Sequence, residues 1–281
     1  MVVPRDASTV ILVRGGDTVH PGPLEVLLLR KTIKAEFAGG AYVFPGGSVD
    51  AADRSAEIAA LCAGRDDADA SSQLGLGSGG LAFWVAAVRE CFEEAGILLA
   101  SGSGSGPGGE LVSLTDGHVA RRFQAHRDAV NRDPEAFSRV CAEEGLKLAV
   151  DRIHYFSHWI TPEGAPRRYD TRFFVVEAPA GQTAFNDGSE TVENIWITPA
   201  EALERSRAGS MALVYPTIRS LEEIDRFRTA AEVVAAARAI EEIPANLPRV
   251  TVDGREVRIL LPGDTGYEQV EASITLPDPA R

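Results

Sequence analysis

Cysteine is scarce in this 281-residue chain, and so are methionine and histidine: three Cys, two Met and five His. The cysteines, Cys62, Cys91 and Cys141, are odd in number and far apart. That excludes a disulfide framework and a cysteine-rich zinc site, and it fits a reducing, cytoplasmic setting. The histidines show no ligand spacing. His154 and His158 stand four apart, but in a segment that reads as strand, so no metal is assigned to them. No run of about 18 apolar residues occurs, and the opening MVVPRDASTVILVRGG has no long apolar signal core, so neither a membrane span nor an export signal is expected. The closing LPDPAR matches no targeting address. Positive charge is in deficit as well: 28 Lys and Arg face 41 Asp and Glu, a net charge of −13. This argues against charge-driven binding to nucleic acid or to an anionic membrane. A small anionic substrate is not excluded, because a bound divalent cation reverses the local field.

What is present, 44% hydrophobic and 25% charged residues, is the composition of an ordinary soluble globular protein. STVILV (8–13) and LEVLLLRK (24–31), separated by the turn-rich GGDTVHPGP, predict two strands that pair. AGGAYVFPGG (38–47) predicts a short strand ending in Pro-Gly-Gly. A helix is predicted over 50–63, capped by Asp50 or Asp53, then a flexible loop over 65–80 (RDDADASSQLGLGSGG) and a long helix over 81–96. A second flexible tract covers 101–110, and two helices lie between about 116 and 145. Strands over 152–162, 167–179 and 190–199 follow, then helices over 199–209 and 222–242. RVTVDGREVRILLP (249–262) predicts a hairpin turning at Asp253-Gly254. Strands and helices mix along the whole length without a clean linker. The expectation is therefore one α+β domain over 1–281, with a mixed β-sheet between helices.

The helix over 81–96 ends in RECFEEAG, Arg89 to Gly96. At 100° per residue, Trp84, Val88, Cys91 and Ala95 form one apolar stripe, and Glu90, Glu93 and Glu94 share the side away from it. Ala86 and Ala87 leave room there for a ligand, and Gly96 is placed to end the helix in a left-handed conformation. In a cleft of effective dielectric near 20, two carboxylates about 5.5 Å apart repel by roughly 3 kcal/mol. A hard divalent cation removes that repulsion, and all-oxygen ligands suit Mg2+ or Mn2+. Arg89 can pair with one glutamate and hold its rotamer. Read without context, the same residues also describe an acidic surface face with one ion pair.

The surrounding sequence resembles the Nudix hydrolase family, whose box is G-x5-E-x7-R-E-U-x-E-E-x-G-U, with U bulky and apolar. Arg89 to Ile97 match its second half without gaps, with Cys91 in an apolar slot. Gly47, SVDAA and Asp53 match its first half, with Asp where the family has Glu. Residues 54 to 88 number 35 where the pattern has seven. Closing that longer loop costs only roughly 1.4 kcal/mol, so the box can assemble in space. The split resembles the coenzyme A diphosphatase branch, peroxisomal type and bacterial relatives. The likeness includes YVFPGGSVDAAD (42–53), AAVRECFEEAGILLA (86–100), WITPEGAPRRYDTRFFVV (159–176) and DGSETVENIWITPAEAL (187–203).

The resemblance implies a Nudix-type α/β/α sandwich. It would carry insertions at 54–80 and about 111–146 and a C-terminal extension from about 246 to 281. It implies a metal-dependent diphosphatase acting on coenzyme A or its acyl thioesters. The alternatives are the same chemistry on NADH, ADP-ribose or a nucleotide sugar, and a nucleotide sensor that does not cleave. Glu90, Glu93 and Glu94 match the metal-binding glutamates, with Glu90 and Glu94 also in the catalytic set. Arg89 matches the arginine that orients them, and Gly46 and Gly47 form the facing loop. Asp187, Glu190 and Glu193 stay open as the base. From the residues themselves, Arg168 and Arg172, two strand steps apart, are candidates to grip phosphates, with Arg30 and Lys31 behind them. Phe37, Tyr42 and Trp159 are candidates to stack a base. Expected partners are a small nucleoside diphosphate derivative, not nucleic acid or membrane. The hairpin could extend a sheet, cover the site or build a homodimer.

Overall fold

The computed structural model describes residues 2–35, 38–253 and 256–270. The strands are β1 (Arg5–Arg14), β2 (Glu25–Lys31), β3 (Tyr42–Val43), β4 (Gly46–Ser48), β5 (Ala100–Gly102) and β6 (Leu146–Leu148). They continue with β7 (His154–Ile160), β8 (Tyr169–Glu177), β9 (Thr191–Ile197), β10 (Ala245–Asn246), β11 (Arg249–Asp253) and β12 (Glu256–Leu260). The helices are α1 (Ala56–Ala59), α2 (Asp67–Leu74), α3 (Leu81–Ala95) and α4 (Gly117–Val130), then α5 (Ala136–Glu143), α6 (Pro199–Arg207), α7 (Tyr215–Ile224) and α8 (Ala230–Arg238).

β1 and β2 are buried on both faces: Val10 to Val13 and Val26 to Leu29 have no solvent exposure. Such continuous apolar runs belong in the centre of a sheet covered on both sides. The main sheet runs β10-β7-β8-β1-β2-β3, with β4 on β1 and β9 on β2. β1 lies parallel to β8 and antiparallel to β2 and β4, so the sheet is mixed. One face packs on α3 with help from α2, α4 and α5 through Leu27, Leu29, Trp84, Phe92, Phe137 and Phe174. The other packs on α6, α7 and α8 through Ile11, Leu28, Phe173, Leu221 and Val233. The expected α+β sandwich is what forms.

β1 touches β2 only at Val13 and Arg14, and nearer its start it pairs with β4 instead. β2 and β1 therefore diverge, and the consecutive strands β3 and β4 fill the fork, β3 on β2 and β4 on β1. This fork positions the site.

Three expectations change. The 50–63 segment is not one helix: a 3-10 turn over Ala52–Arg54 precedes the four-residue α1, which is capped by Ser55 and not by Asp50 or Asp53. The 65–80 segment is not a loop: it forms α2, capped by the Asp66 side chain on Asp69 N and closed by Gly75 at φ 68°. Its Ala70 and Leu74 enter the core on the α3 face. Asp67 accepts from Gly79 N and Leu81 N and so fixes the start of α3. The Ser- and Gly-rich composition disguised a short helix whose apolar residues are only four apart. The predicted 222–242 helix is broken, with α7 ending at Ile224 and α8 starting at Ala230, capped by Thr229. The 249–262 hairpin forms a separate two-stranded sheet and does not extend the main one. Of its predicted turn, Asp253-Gly254, the second residue lies outside those described.

Candidate active site

α3 ends as the sequence predicts, with Gly96 at φ 67° and its N–H on Phe92 O. Its acidic side does not face solvent. Glu94 is 4% exposed and Ala86 and Ala87 are fully buried, because the β4 loop and the 187–191 segment cover that face. Gly47 lies directly against Glu90: a Cβ there would stand 2.5 Å from Glu90 Oε1. Gly46 donates its N–H to Glu94 Oε2 at 3.0 Å, and a Cβ at Gly46 would meet Ser8 O at 2.4 Å. Only glycine lets this loop approach both the helix and β1 so closely.

Arg89 is 1% exposed and does more than pair with one glutamate. Nε and Nη2 grip Asp53 at 2.9 and 2.8 Å, Nη2 also reaches Ser48 O, and Nη1 reaches Glu90 Oε1 at 2.9 Å and both Glu93 oxygens at 3.2 Å. The fork-shaped guanidinium suits this task, since its five donors satisfy several acceptors in one plane. Asp53 also accepts from Asp50 N, so the shorter acid still closes the split box on Arg89 across 36 residues.

Lys31, from the end of β2, places Nζ on Glu94 Oε1 and 3.4 Å from Glu190 Oε2. Burial opposes its charge, but Glu94 and Glu190 outweigh that and raise its pKa. Burial is also the leading influence on the glutamates. It pushes Glu93 up to about 7 against the pull of Arg89. Glu90 is raised too, with Glu94 and Glu93 adding repulsion to the burial, and Glu94 rises despite Lys31. Asp53, Glu90, Glu93 and Glu94, with Asp50 and Glu190 at the rim, outnumber the two cations Arg89 and Lys31. This surplus of hard oxygen donors fits a divalent cation. Among the described residues no three acidic, His or Cys side chains already converge as a ready coordination set. Arg89 Nη1 lies between Glu90 and Glu93, and Lys31 caps Glu94.

These groups open on a cleft of about 1000 Å³ at the fork, at the upper end of the usual size of small-molecule sites. Lys31, Gly46, Gly47, Arg89, Glu90, Glu93, Glu94, Asp187 and Glu190 line it. Of the three open acids, Asp187 is committed internally. It accepts from Ser189 Oγ, from the N–H groups of Glu190 and Thr191, and from Thr191 Oγ1. Burial alone would raise its pKa, but these bonds win and bring it down to about 2. Glu193 points away from the cleft and pairs with Arg30 at 3.1 Å across β2 and β9. Glu190 lines the cleft and is mostly exposed.

The arginine candidates need correcting. Arg168 and Arg172 do share a side of β8, but not the one that meets the cleft, which Tyr169, Thr171 and Phe173 line. Arg168 is 6% exposed and donates to Thr161 O and Val2 O. Arg172 is 4% exposed, bound to His158 and Asp170 and stacked 5.3 Å over Phe83. Arg30 pairs with Glu193 away from the cleft, while its neighbour Lys31, across an irregularity in the β2–β9 pairing, enters it. Trp159 lines the cleft, Tyr42 packs beside the α6–α8 core, and Phe37 lies outside the described residues.

One contributor gave no sequence signal. Arg127 on α4 is 2% exposed and donates to Glu93 O and Phe185 O, both at 2.8 Å. It clamps the C-terminal end of α3 to the segment leading into Asp187, where a cation also complements the helix dipole.

The comparisons agree with this geometry. The family profile of the NUDT19 Nudix domain matches residues 65–224. The human protein named acyl-coenzyme A diphosphatase NUDT19 is 30% identical over 94% of this chain and 80% of its own length. Its Gallus gallus counterpart is 32% identical over the same shares. The crystal structure of a NUDIX hydrolase from Alicyclobacillus acidocaldarius superposes with a TM-score of 0.66 at 25% identity, covering 84% of this chain and 97% of that one. The interrupted box, the fork that reassembles it and these matches agree: the chain belongs to the Nudix hydrolase family, in its NUDT19 branch.

Proposed function

We propose that the chain is a divalent-metal-dependent diphosphatase acting on coenzyme A and its acyl thioesters. The observation that carries the reading is the buried excess of carboxylate over cation at the mouth of a large cleft, in a chain whose curated relatives are named acyl-coenzyme A diphosphatases. Glu90, Glu93 and Glu94 would hold the cation, Mg2+ or Mn2+, with the Gly46-Gly47 loop beside them. When bound, that cation neutralises diphosphate charge and acidifies the attacking water.

The chain's own residues supply the rest. Arg89, held by Asp53, positions Glu90 and Glu93. Lys31 presents a point charge where a phosphate oxygen can exchange for Glu94. Glu190, the exposed acid on the cleft rim, takes the proton of the attacking water. One P–O bond of the diphosphate breaks as the water oxygen joins phosphorus. The three free cysteines suit a reducing compartment such as the cytoplasm. Among the described residues, no helix is long and apolar enough to cross a membrane.

Incubation of the purified protein with acyl-coenzyme A and Mg2+ or Mn2+ tests the reading. The expected products are 3′,5′-ADP and acyl-4′-phosphopantetheine, with none when the metal is chelated. Rapid turnover of NADH or ADP-ribose, with coenzyme A and its thioesters untouched, would overturn the substrate assignment.

A further inference from the structure

We infer that the C-terminal hairpin closes an apolar compartment at the far end of the same cleft. The compartment takes the acyl-pantetheine arm of a thioester ligand, with Trp159, Val250 and Ile259 setting acyl-chain selectivity. This deepens the diphosphatase reading and rests on it.

The cleft lining is divided by chemistry. The end at α3 and the tip of β2 carries Lys31, the three glutamates and Glu190. The other end carries Phe173, Trp159, Tyr215, Pro248, Val250 and Ile259, without a charged group among them. The strand order separates the two. Trp159 belongs to β7 and Lys31 to the far end of β2, with β8, β1 and the fork filled by β4 and β3 between them. A ligand that fills both ends carries its negative charge at one terminus and apolar surface at the other. The pantetheine arm is about as long as three or four extended peptide units, on the order of 10–14 Å. It would run from the diphosphate toward the apolar end and carry the thioester-linked chain into it.

The hairpin is built to be a wall. β11 and β12 form a two-stranded sheet of their own, and an isolated hairpin is marginal unless it packs on something. Val250 is nonetheless only 8% exposed. β10 pairs with β7 at Trp159 and leads through Leu247 and Pro248 into β11. Tyr267 Oη donates to Leu247 O, while Arg249 donates to Tyr267 O and stacks 4.2 Å over its ring. These contacts hold the base of the hairpin beside β7. Trp159 meets Tyr215 edge-on at 5.8 Å, and its buried indole N–H has no acceptor among the described residues. The amide and thioester carbonyls of the arm are acceptors of the kind this donor lacks.

The test compares coenzyme A with palmitoyl-coenzyme A in wild type, Val250→Asp, Ile259→Asp and Trp159→Phe. A charge on the wall should lower the ratio of kcat/KM for the palmitoyl thioester to that for coenzyme A about tenfold or more, the usual scale for a disturbed apolar pocket. Trp159→Phe keeps a ring but removes the donor, and should raise KM for both substrates while kcat changes little. Calorimetry with palmitoyl-pantetheine, which has no nucleotide and no diphosphate, provides a readout independent of hydrolysis. Binding to wild type weakened tenfold by Ile259→Asp supports the compartment. Unchanged ratios in both folded hairpin variants, or no palmitoyl-pantetheine binding to wild type, overturn it. If wild type binds palmitoyl-pantetheine but cleaves no coenzyme A compound, the compartment stands and the diphosphatase reading fails.

Discussion

Replacing Gly47 by alanine adds one methyl group at the contact between the β4 loop and the catalytic helix. Gly47 is not among the residues with positive φ, so alanine fits the backbone. The loss of unfolded-chain freedom should favour folding by about 0.4–1 kcal/mol. The new Cβ, however, would lie 2.5 Å from Glu90 Oε1, 2.6 Å from Cδ and 2.7 Å from Oε2. Relief requires the carboxylate to retreat by roughly 1 Å to reach ordinary contact, away from the Arg89 Nη1 that now holds it at 2.9 Å. A misplacement of about 1 Å in a catalytic group costs on the order of 100-fold in rate, or about 2.7 kcal/mol. The expected outcome is kcat/KM for acyl-coenzyme A about 100-fold down, weaker Mn2+ binding by calorimetry and a melting temperature at or near wild type. Gly75→Ala is the control. It sits at φ 68° with nothing within 4 Å, so it should lose about 1–2 kcal/mol of stability and no activity. A folded Gly47→Ala protein with kcat/KM within threefold of wild type and unchanged Mn2+ affinity would refute the assignment of Glu90 and its loop.

Asp53→Ala removes the bidentate partner of a nearly inaccessible guanidinium, and urea unfolding should show a loss of about 3–5 kcal/mol, with activity falling as Glu90 and Glu93 lose their shared anchor. Arg127→Met deletes two buried hydrogen bonds to carbonyls, worth about 1.5–3 kcal/mol each with a charged donor; hydrogen exchange should speed up at the end of α3 and around Phe185. Leu74→Ala should cost about 2–4 kcal/mol, and deletion of 65–80 should unfold the protein, because α2 belongs to the core. His154 is driven down to about 4, chiefly by burial and then by Arg238 and Arg65. Between its ordinary value near 6.5 and about 4 the unfolded chain therefore binds more protons. Its contribution to stability is full above about 6.5 and is lost as pH falls through that window. His154→Phe should flatten this part of the stability–pH curve.

Local periodicity is legible where the residues lie close in the chain. The α3 box residues and Gly96 lie within a few turns of one another, so a 3.6-residue repeat and a positive-φ cap were enough to place them. The parity of Arg168 and Arg172 was also right, since side chains alternate along any strand. Which face looks into the cleft was not legible, because alternation fixes relative direction and not the neighbour. The same ambiguity left Arg30 and Lys31 side by side as candidates, although only Lys31 of the two lines the cleft. The Ser- and Gly-rich tract at 65–80 hid a helix, because composition records flexibility while Asp67, Ala70 and Leu74 act only once α3 is beside them.

By itself the sequence determined the family, the acidic turn and the mixed sheet between helices, because each depends on residues close in the chain or on a fixed motif. Only tertiary structure decided that Asp53 closes on Arg89, that Lys31 faces Glu94, that Arg127 clamps the helix end and that the hairpin borders the cleft. Those pairings join segments tens to more than a hundred residues apart. Such contacts are fixed by how the sheet forks and packs, and no local periodicity encodes them.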